Sequence, residues 1–154
     1  MGGRTARAPL PALWRCPRCE RRFASRNLYH ACGDFSLDAH FAGKAPVVRR
    51  LFDAMWRRLR AIGPVRVEPQ KTRIVFTVRM RFVAVTPRRS SLPGHLLLTR
   101  RVPSPRLRPE GVGGLVLHRF RLERIDDLDA EFDGWLRESY SVGRQRHLGR
   151  PASR

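Results

Sequence analysis

Acidic residues are scarce in this chain: 13 Asp and Glu stand against 32 Lys and Arg, a net charge of +19 on 154 residues. A surplus of that size repels itself unless a polyanion or an anionic lipid surface neutralises part of it. Lysine is almost missing as well, since Lys44 and Lys71 are the only departures from arginine among the basic residues. A GC-rich coding sequence accounts for arginine in place of lysine, but not for the excess of base over acid. No apolar run approaches the ~18 residues of a membrane span. Residues 1–13 carry Arg4 and Arg7 without a continuous apolar stretch, which is not the pattern of a signal peptide. Also absent are a glycine-rich phosphate loop, a nucleophile elbow, an HExxH motif, paired catalytic carboxylates and internal repeats. An enzyme would have to work from Lys71, Arg81 and His118 brought into one concave pocket, so the expectation is a non-catalytic protein.

Cysteine is also rare, with three in all, but they are not scattered. Cys16-Pro17-Arg18-Cys19 is followed by His30-Ala31-Cys32, so every thiol lies within 17 residues alongside one histidine. Two thiolates two residues apart can grip one metal ion, and a histidine-cysteine pair after a ten-residue loop can close a tetrahedron around it. Zinc takes four nitrogen and sulfur ligands, and a structural site leaves no position open. Cys16, Cys19, His30 and Cys32 are therefore the expected ligands of a structural Zn²⁺. His40 competes with His30 for the fourth place if the chain folds back. A redox role for the CxxC pair needs the start of a helix in a βαβ setting, which is missing. An odd number of cysteines fits metal-bound thiolates in a reducing, cytoplasmic compartment better than a disulfide framework. Phe23 and Trp14 are expected to pack the small core of this knuckle.

Charge is unevenly spread. Residues 46–110 carry sixteen basic and three acidic residues, whereas residues 111–143 carry four and seven. The spacing predicts a short helix after Ser36, with Leu37, His40 and Phe41 and a stop at Gly43. A long helix is predicted over Pro46–Ile62, where Val48, Leu51, Phe52, Met55, Leu59 and Ile62 recur at three-and-four spacing. Pro46 suits its first turn and Gly63-Pro64 its end. Strands are expected around Val65–Val67, Ile74–Val78, Phe82–Val85, Leu96–Leu98 and Val116–Leu122, with His118 in register with apolar neighbours as a core histidine. A hairpin near Arg79 and Met80 lacks an Asn-Gly or Asp-Gly signal. Val102–Gly114, rich in Pro, Gly and Arg, reads as a mobile loop. A second helix is predicted over Asp127–Tyr140, capped by Asp126, with Leu128, Phe132, Trp135 and Leu136 as its buried stripe. Short connections favour an antiparallel sheet.

The expected architecture is thus α+β: a small N-terminal zinc knuckle, then a mostly antiparallel sheet flanked by an N-terminal and a C-terminal helix. Its expected divisions are a disordered 1–13, the knuckle at 14–35, the α+β domain at 36–143 and a disordered basic tail at 144–154.

Several segments resemble the uncharacterised bacterial domain-of-unknown-function family 5655 with the zinc-knuckle motif often fused in front of it. The knuckle part is Trp14-Arg15-Cys16-Pro17-Arg18-Cys19, Arg22-Phe23 and Asn27-Leu28-Tyr29-His30-Ala31-Cys32. The body is similar through Phe41-Ala42-Gly43-Lys44, Leu51-Phe52, Gly63-Pro64-Val65, Lys71-Thr72-Arg73-Ile74, Arg81-Phe82, and Asp127-Leu128-Asp129 to Trp135-Leu136-Arg137-Glu138. The resemblance covers about residues 14–141. Glu20 stands where a glycine is usual, and Leu28 where a polar residue is commoner. The resemblance implies a fold and a metal site but no reaction.

Function is therefore sought in the charge. A lysine kept in an arginine-biased chain suggests a place for a compact ammonium. Lys71, Arg73, Arg79, Arg81, Arg88 and Arg89 are the expected contacts for nucleic acid or another polyanion. A small anion or a protein acid patch is the alternative target.

Overall fold

The computed structural model describes residues 8–26, 28, 30, 32–111 and 114–149. The chain opens with a two-residue hairpin, β1 (Trp14–Arg15) and β2 (Arg22–Phe23), which pairs Trp14 with Phe23. A single 3-10 turn, Asp38–Phe41, then leads to helix α1 (Pro46–Ile62). Ser36 Oγ accepts from the Ala39 N–H, and Gly43, at φ +71°, ends the turn. Both limits of α1 fall where proline and glycine put them. Its buried face is Val48, Leu51, Phe52, Met55 and Leu59.

Six strands follow: β3 (Arg66–Pro69), β4 (Ile74–Thr77), β5 (Arg81–Val85), β6 (Leu92–Leu98), β7 (Arg108–Glu110) and β8 (Val116–Leu122). They form one sheet in the order β3-β4-β5-β6-β8-β7, and every pair is antiparallel. Helix α2 (Ala130–Gly143) closes the domain. Alternation along the strands sends Ile74, Phe76, Val83, Val85, Leu96 and Phe120 to one face, where both helices pack. Phe52 of α1 stacks on Phe76 at 5.6 Å, and Phe132 of α2 meets Phe120 edge-on at 5.1 Å. Burial of these side chains with the aliphatic residues around them stabilises the packing of helices on sheet.

A β-bulge between Phe76 and Thr77 changes what β5 presents. Thr77 pairs with Arg81, so Phe82 is the extra residue and turns to the helix side. There it meets Tyr140 at 5.7 Å, and its carbonyl accepts from Ser139 Oγ. The weakly signalled hairpin at Arg79-Met80 forms because Gly143 O accepts both of their backbone N–H groups.

Three elements depart from the sequence reading. Strand β6 starts at Leu92, four residues ahead of the expected Leu96, and takes in Pro93-Gly94. Gly94 is needed there: a Cβ would collide with the Ala84 carbonyl oxygen and lie 2.8 Å from Phe120 Cζ. The segment expected as a mobile loop instead contains β7 and buries Val102 and Leu107 in the core. Arg106 ties it down, reaching Asp129 at 2.8 Å, Glu131 at 3.2 Å and the Asp127 carbonyl. Helix α2 starts at Ala130, with Asp129 and not Asp126 as its cap, because Ile125–Asp127 forms a separate 3-10 turn. Residues 8–13 carry no regular structure, Arg146–Gly149 makes a final 3-10 turn, and residues 1–7 and 150–154 lie outside the described residues.

Candidate functional site

The hairpin and the loop after it bring Cys16, Cys19, His30 and Cys32 together, with one donor atom from each within 4.8 Å of the others. The Cys16 N–H bonds the Arg21 carbonyl at 2.9 Å and the Glu20 N–H bonds the Cys16 carbonyl at 2.9 Å, which turns the chain back on itself. That turn requires Glu20 at φ +61°, a left-handed conformation that glycine takes without steric cost.

Donor separations test the fit to a metal. Cys16 Sγ to Cys32 Sγ is 3.8 Å, and His30 Nε2 is 3.3 Å from both Cys19 Sγ and Cys32 Sγ. Metal–sulfur bonds of about 2.3 Å and a metal–nitrogen bond of about 2.0 Å give tetrahedron edges of about 3.8 and 3.5 Å. His30 Nδ1 lies 2.6 Å from the Leu28 carbonyl oxygen. That oxygen only accepts, so the ring proton sits on Nδ1 and Nε2 keeps its lone pair for a metal. The cysteines are free of disulfides. The Cys19 backbone N–H draws the Cys16 thiol down to about 7, whereas burial and the two neighbouring sulfurs push Cys32 up. Three thiols this close resist ionising together, and a bound cation removes that conflict. The cluster could hold a metal ion.

His40 takes no part. Its Nε2–H donates to the Gln70 carbonyl oxygen at 2.7 Å, in a hollow it shares with Lys71. Trp14, Phe23 and the His30 ring pack on one another, Phe23 at 4.2 Å from His30 and 6.2 Å from Trp14. Phe23 is 1% exposed.

The knuckle rests on the sheet face that the helices leave open. Arg81 lies over the Phe23 ring at 5.8 Å, and Arg66 Nη2 donates to the Arg22 carbonyl at 2.9 Å. Beneath this contact Glu68 is 5% exposed. Its Oε2 accepts from Thr77 Oγ1 at 3.0 Å, while Oε1 has no hydrogen bond and faces Arg66 at 3.6 Å.

The six basic residues expected to act together occupy two ends of the sheet. Lys71, Arg73, Arg88 and Arg89 lie at the β3–β4 and β5–β6 turns, and Arg79 and Arg81 at the β4–β5 turn. Arg79 is engaged structurally, donating to Gln145 Oε1 at 3.1 Å and to the Pro11 carbonyl. Arg73 and Arg81 nevertheless line one recess, together with His95, Val75 and Ala84. His95 gives no signal in the sequence because it follows Pro93-Gly94. Burial, with Arg73 and Arg119 near it, holds His95 below the ordinary histidine range.

Lys71, Arg81 and His118 do not share a pocket. His118 faces the helices, fully buried, with Nε2 accepting from the Val102 N–H at 3.0 Å and Nδ1 donating to the Val116 carbonyl at 3.1 Å. Arg81 lies on the opposite face, and Lys71 at the far turn. Among the described residues, no helix is long and apolar enough to cross a membrane.

No curated protein and no solved structure matches the chain. One family's sequence model does, over residues 37–143, from the turn before α1 to the last residue of α2, and the Cys/His cluster lies ahead of that span. The matched span is more than half of the chain, and it holds the sheet and both helices described above. The chain belongs to the family described as Domain of unknown function (DUF5655).

Proposed function

We propose that this is a zinc-stapled protein that binds nucleic acid or another polyanion without catalysis, in the cytoplasm of a bacterial cell. Zinc suits the donor set: three thiolates and one imidazole close a tetrahedron, and closed sites are structural. Thiolate ligands need a reducing compartment. The zinc holds the knuckle in shape, and the knuckle in turn walls one side of the open sheet face.

One observation carries the polyanion reading. Arg73 and Arg81 lie on the sheet face that the helices leave open, and neither forms an ion pair among the described residues. Elsewhere on that face Arg119 is answered by Glu110 at 2.6 Å and Arg121 by Glu123 at 2.8 Å. The acidic helix α2 is likewise spent on its own chain: Asp133 holds Arg58 at 2.6 Å and Glu138 holds Arg100 at 2.8 Å. Arg73 and Arg81 therefore remain as positive charge on this face that a phosphate backbone could neutralise.

The test is binding of the zinc-loaded protein to short DNA and RNA at low and high salt. Affinity should fall steeply with salt, by a log–log slope of about −0.7 to −0.9 per phosphate contacted. Negligible binding at low salt would end this reading.

A further inference from the structure

We propose that Arg73, Arg81 and His95 form a subsite for one phosphate group beside the knuckle, on the sheet face that the helices leave open. This rests on the polyanion reading above and names the place where a phosphate would be held. The three side chains ring a recess whose floor is Val75 and Ala84. Arg73 immediately precedes β4, Arg81 starts β5 just before the bulged residue Phe82, and His95 lies on β6 opposite Ala84.

Each brings donors that the protein itself leaves unused. Arg81 Nε is buried with no hydrogen-bond partner. A buried N–H without an acceptor is costly, and an anion's oxygen would relieve it. Arg73 uses Nε on Gln70 Oε1 at 2.9 Å, which steadies the stem and leaves its terminal nitrogens without a partner among the described residues. His95 has no hydrogen bond among the described residues and is mostly withdrawn from water. Burial lowers the pKa of Arg81, with Arg73 and Arg21 adding to the effect and Glu68 opposing it. An anion between these groups would offset the repulsion that now separates them.

The surrounding charges leave the recess positive. Glu68 is met by Arg66 and by the Thr77 hydroxyl. Glu110, which acts on His95 from β7, is paired with Arg119. Two guanidinium forks and an imidazole suit a tetrahedral oxyanion, whose several oxygens can each take a donor. Phe82 also lines the recess, but its ring turns to the helix side against Tyr140.

The experiment uses the full-length zinc-loaded protein with two probes. Inorganic phosphate is followed through the His95 ring resonances, and a labelled oligothymidylate is followed by anisotropy at low salt. Arg81→Gln and Arg73→Gln should each weaken the oligonucleotide by about tenfold or more. Arg57→Gln, the same charge loss on an exposed turn of α1, should change it by about twofold or less. Circular dichroism checks each fold, and Arg73→Gln with His95→Ala decides the matter if Arg81→Gln does not fold. Equal losses for all arginine variants overturn the subsite and leave the polyanion reading standing. If phosphate moves His95 in the parent and not in Arg73→Gln while the oligonucleotide does not bind, the subsite stands and the polyanion reading falls. If neither probe binds, both fall.

Discussion

Nε2 of His30 is free for a metal because the Leu28 carbonyl oxygen, 2.6 Å from Nδ1, fixes the ring proton on the other nitrogen. Cys16, Cys19 and Cys32 were legible from spacing alone, since a CxxC pair with a nearby thiol has few other uses. The choice between His30 and His40 was not legible, because it depends on Gln70, thirty residues past His40, whose carbonyl occupies His40. His95 was missed for a similar reason: it comes together with Arg73 and Arg81 across the sheet, not with its neighbours in sequence. Glu20 offers the sharpest residue-scale prediction. Its φ of +61° strains a non-glycine residue, and its ion pair with Arg15 at 2.8 Å is solvent-exposed on both sides. Exposed pairs contribute little, whereas left-handed backbone costs about 1–2 kcal/mol. Glu20→Gly should therefore raise the stability of the metal-loaded protein or leave it unchanged, read as its thermal midpoint. A clear fall would show that the Glu20 side chain holds the turn.

At the scale of elements, α1 was readable to the residue because periodicity, Pro46 and Gly63 agree with one another. Agreement across such signals is what lets a local pattern survive tertiary packing. Strand β6 defeated the same approach. Proline and glycine there serve the sheet: Pro93 lies beyond the β5 pairing, and Gly94 lets β5 and Phe120 approach closely. Strand β7 is three residues long at an edge, too short for any period to show. The start of α2 moved because Asp127 is used elsewhere, its Oδ2 accepting from the N–H groups of Glu123 and Arg124. Gly94→Ala is the direct check on this account of β6. Its Cβ would meet the Ala84 backbone oxygen, which cannot move without breaking the β5–β6 ladder. We expect a loss of about 1–3 kcal/mol or more in denaturant unfolding. A neutral result would mean that β6 does not approach β5 as described.

Across the whole molecule, two units of unequal independence share one face of the sheet. The α+β domain has its own core of both helices and six strands. The knuckle buries little beyond Cys16 and Phe23, so its order depends on whatever joins its four donors. Removing the metal should open the knuckle to trypsin at Arg15, Arg18, Arg21, Arg22 and Arg26 while the domain from about residue 37 keeps a cooperative melt. Loss of the whole fold on chelation would show that the knuckle is part of the domain core. The contact of Arg81 with Phe23, and of Phe23 with His30, also links the Cys/His cluster to the recess of Arg73, Arg81 and His95. The unequal charge along the sequence was legible from composition, but its use was not. Much of the acid in residues 111–143 is taken up by Arg58, Arg100 and Arg106 within the chain. What stays unanswered on the open sheet face emerges only once the strands are paired.

The most direct test of the metal centre that organises this account is X-ray absorption on the protein as purified, with metal content measured on the same sample. The account predicts one zinc per chain, with three sulfurs at about 2.3 Å and one nitrogen at about 2.0 Å, and loss of the metal in Cys32→Ser. Folded, metal-free protein with an ordered knuckle, or a coordination shell without the single nitrogen, would contradict it.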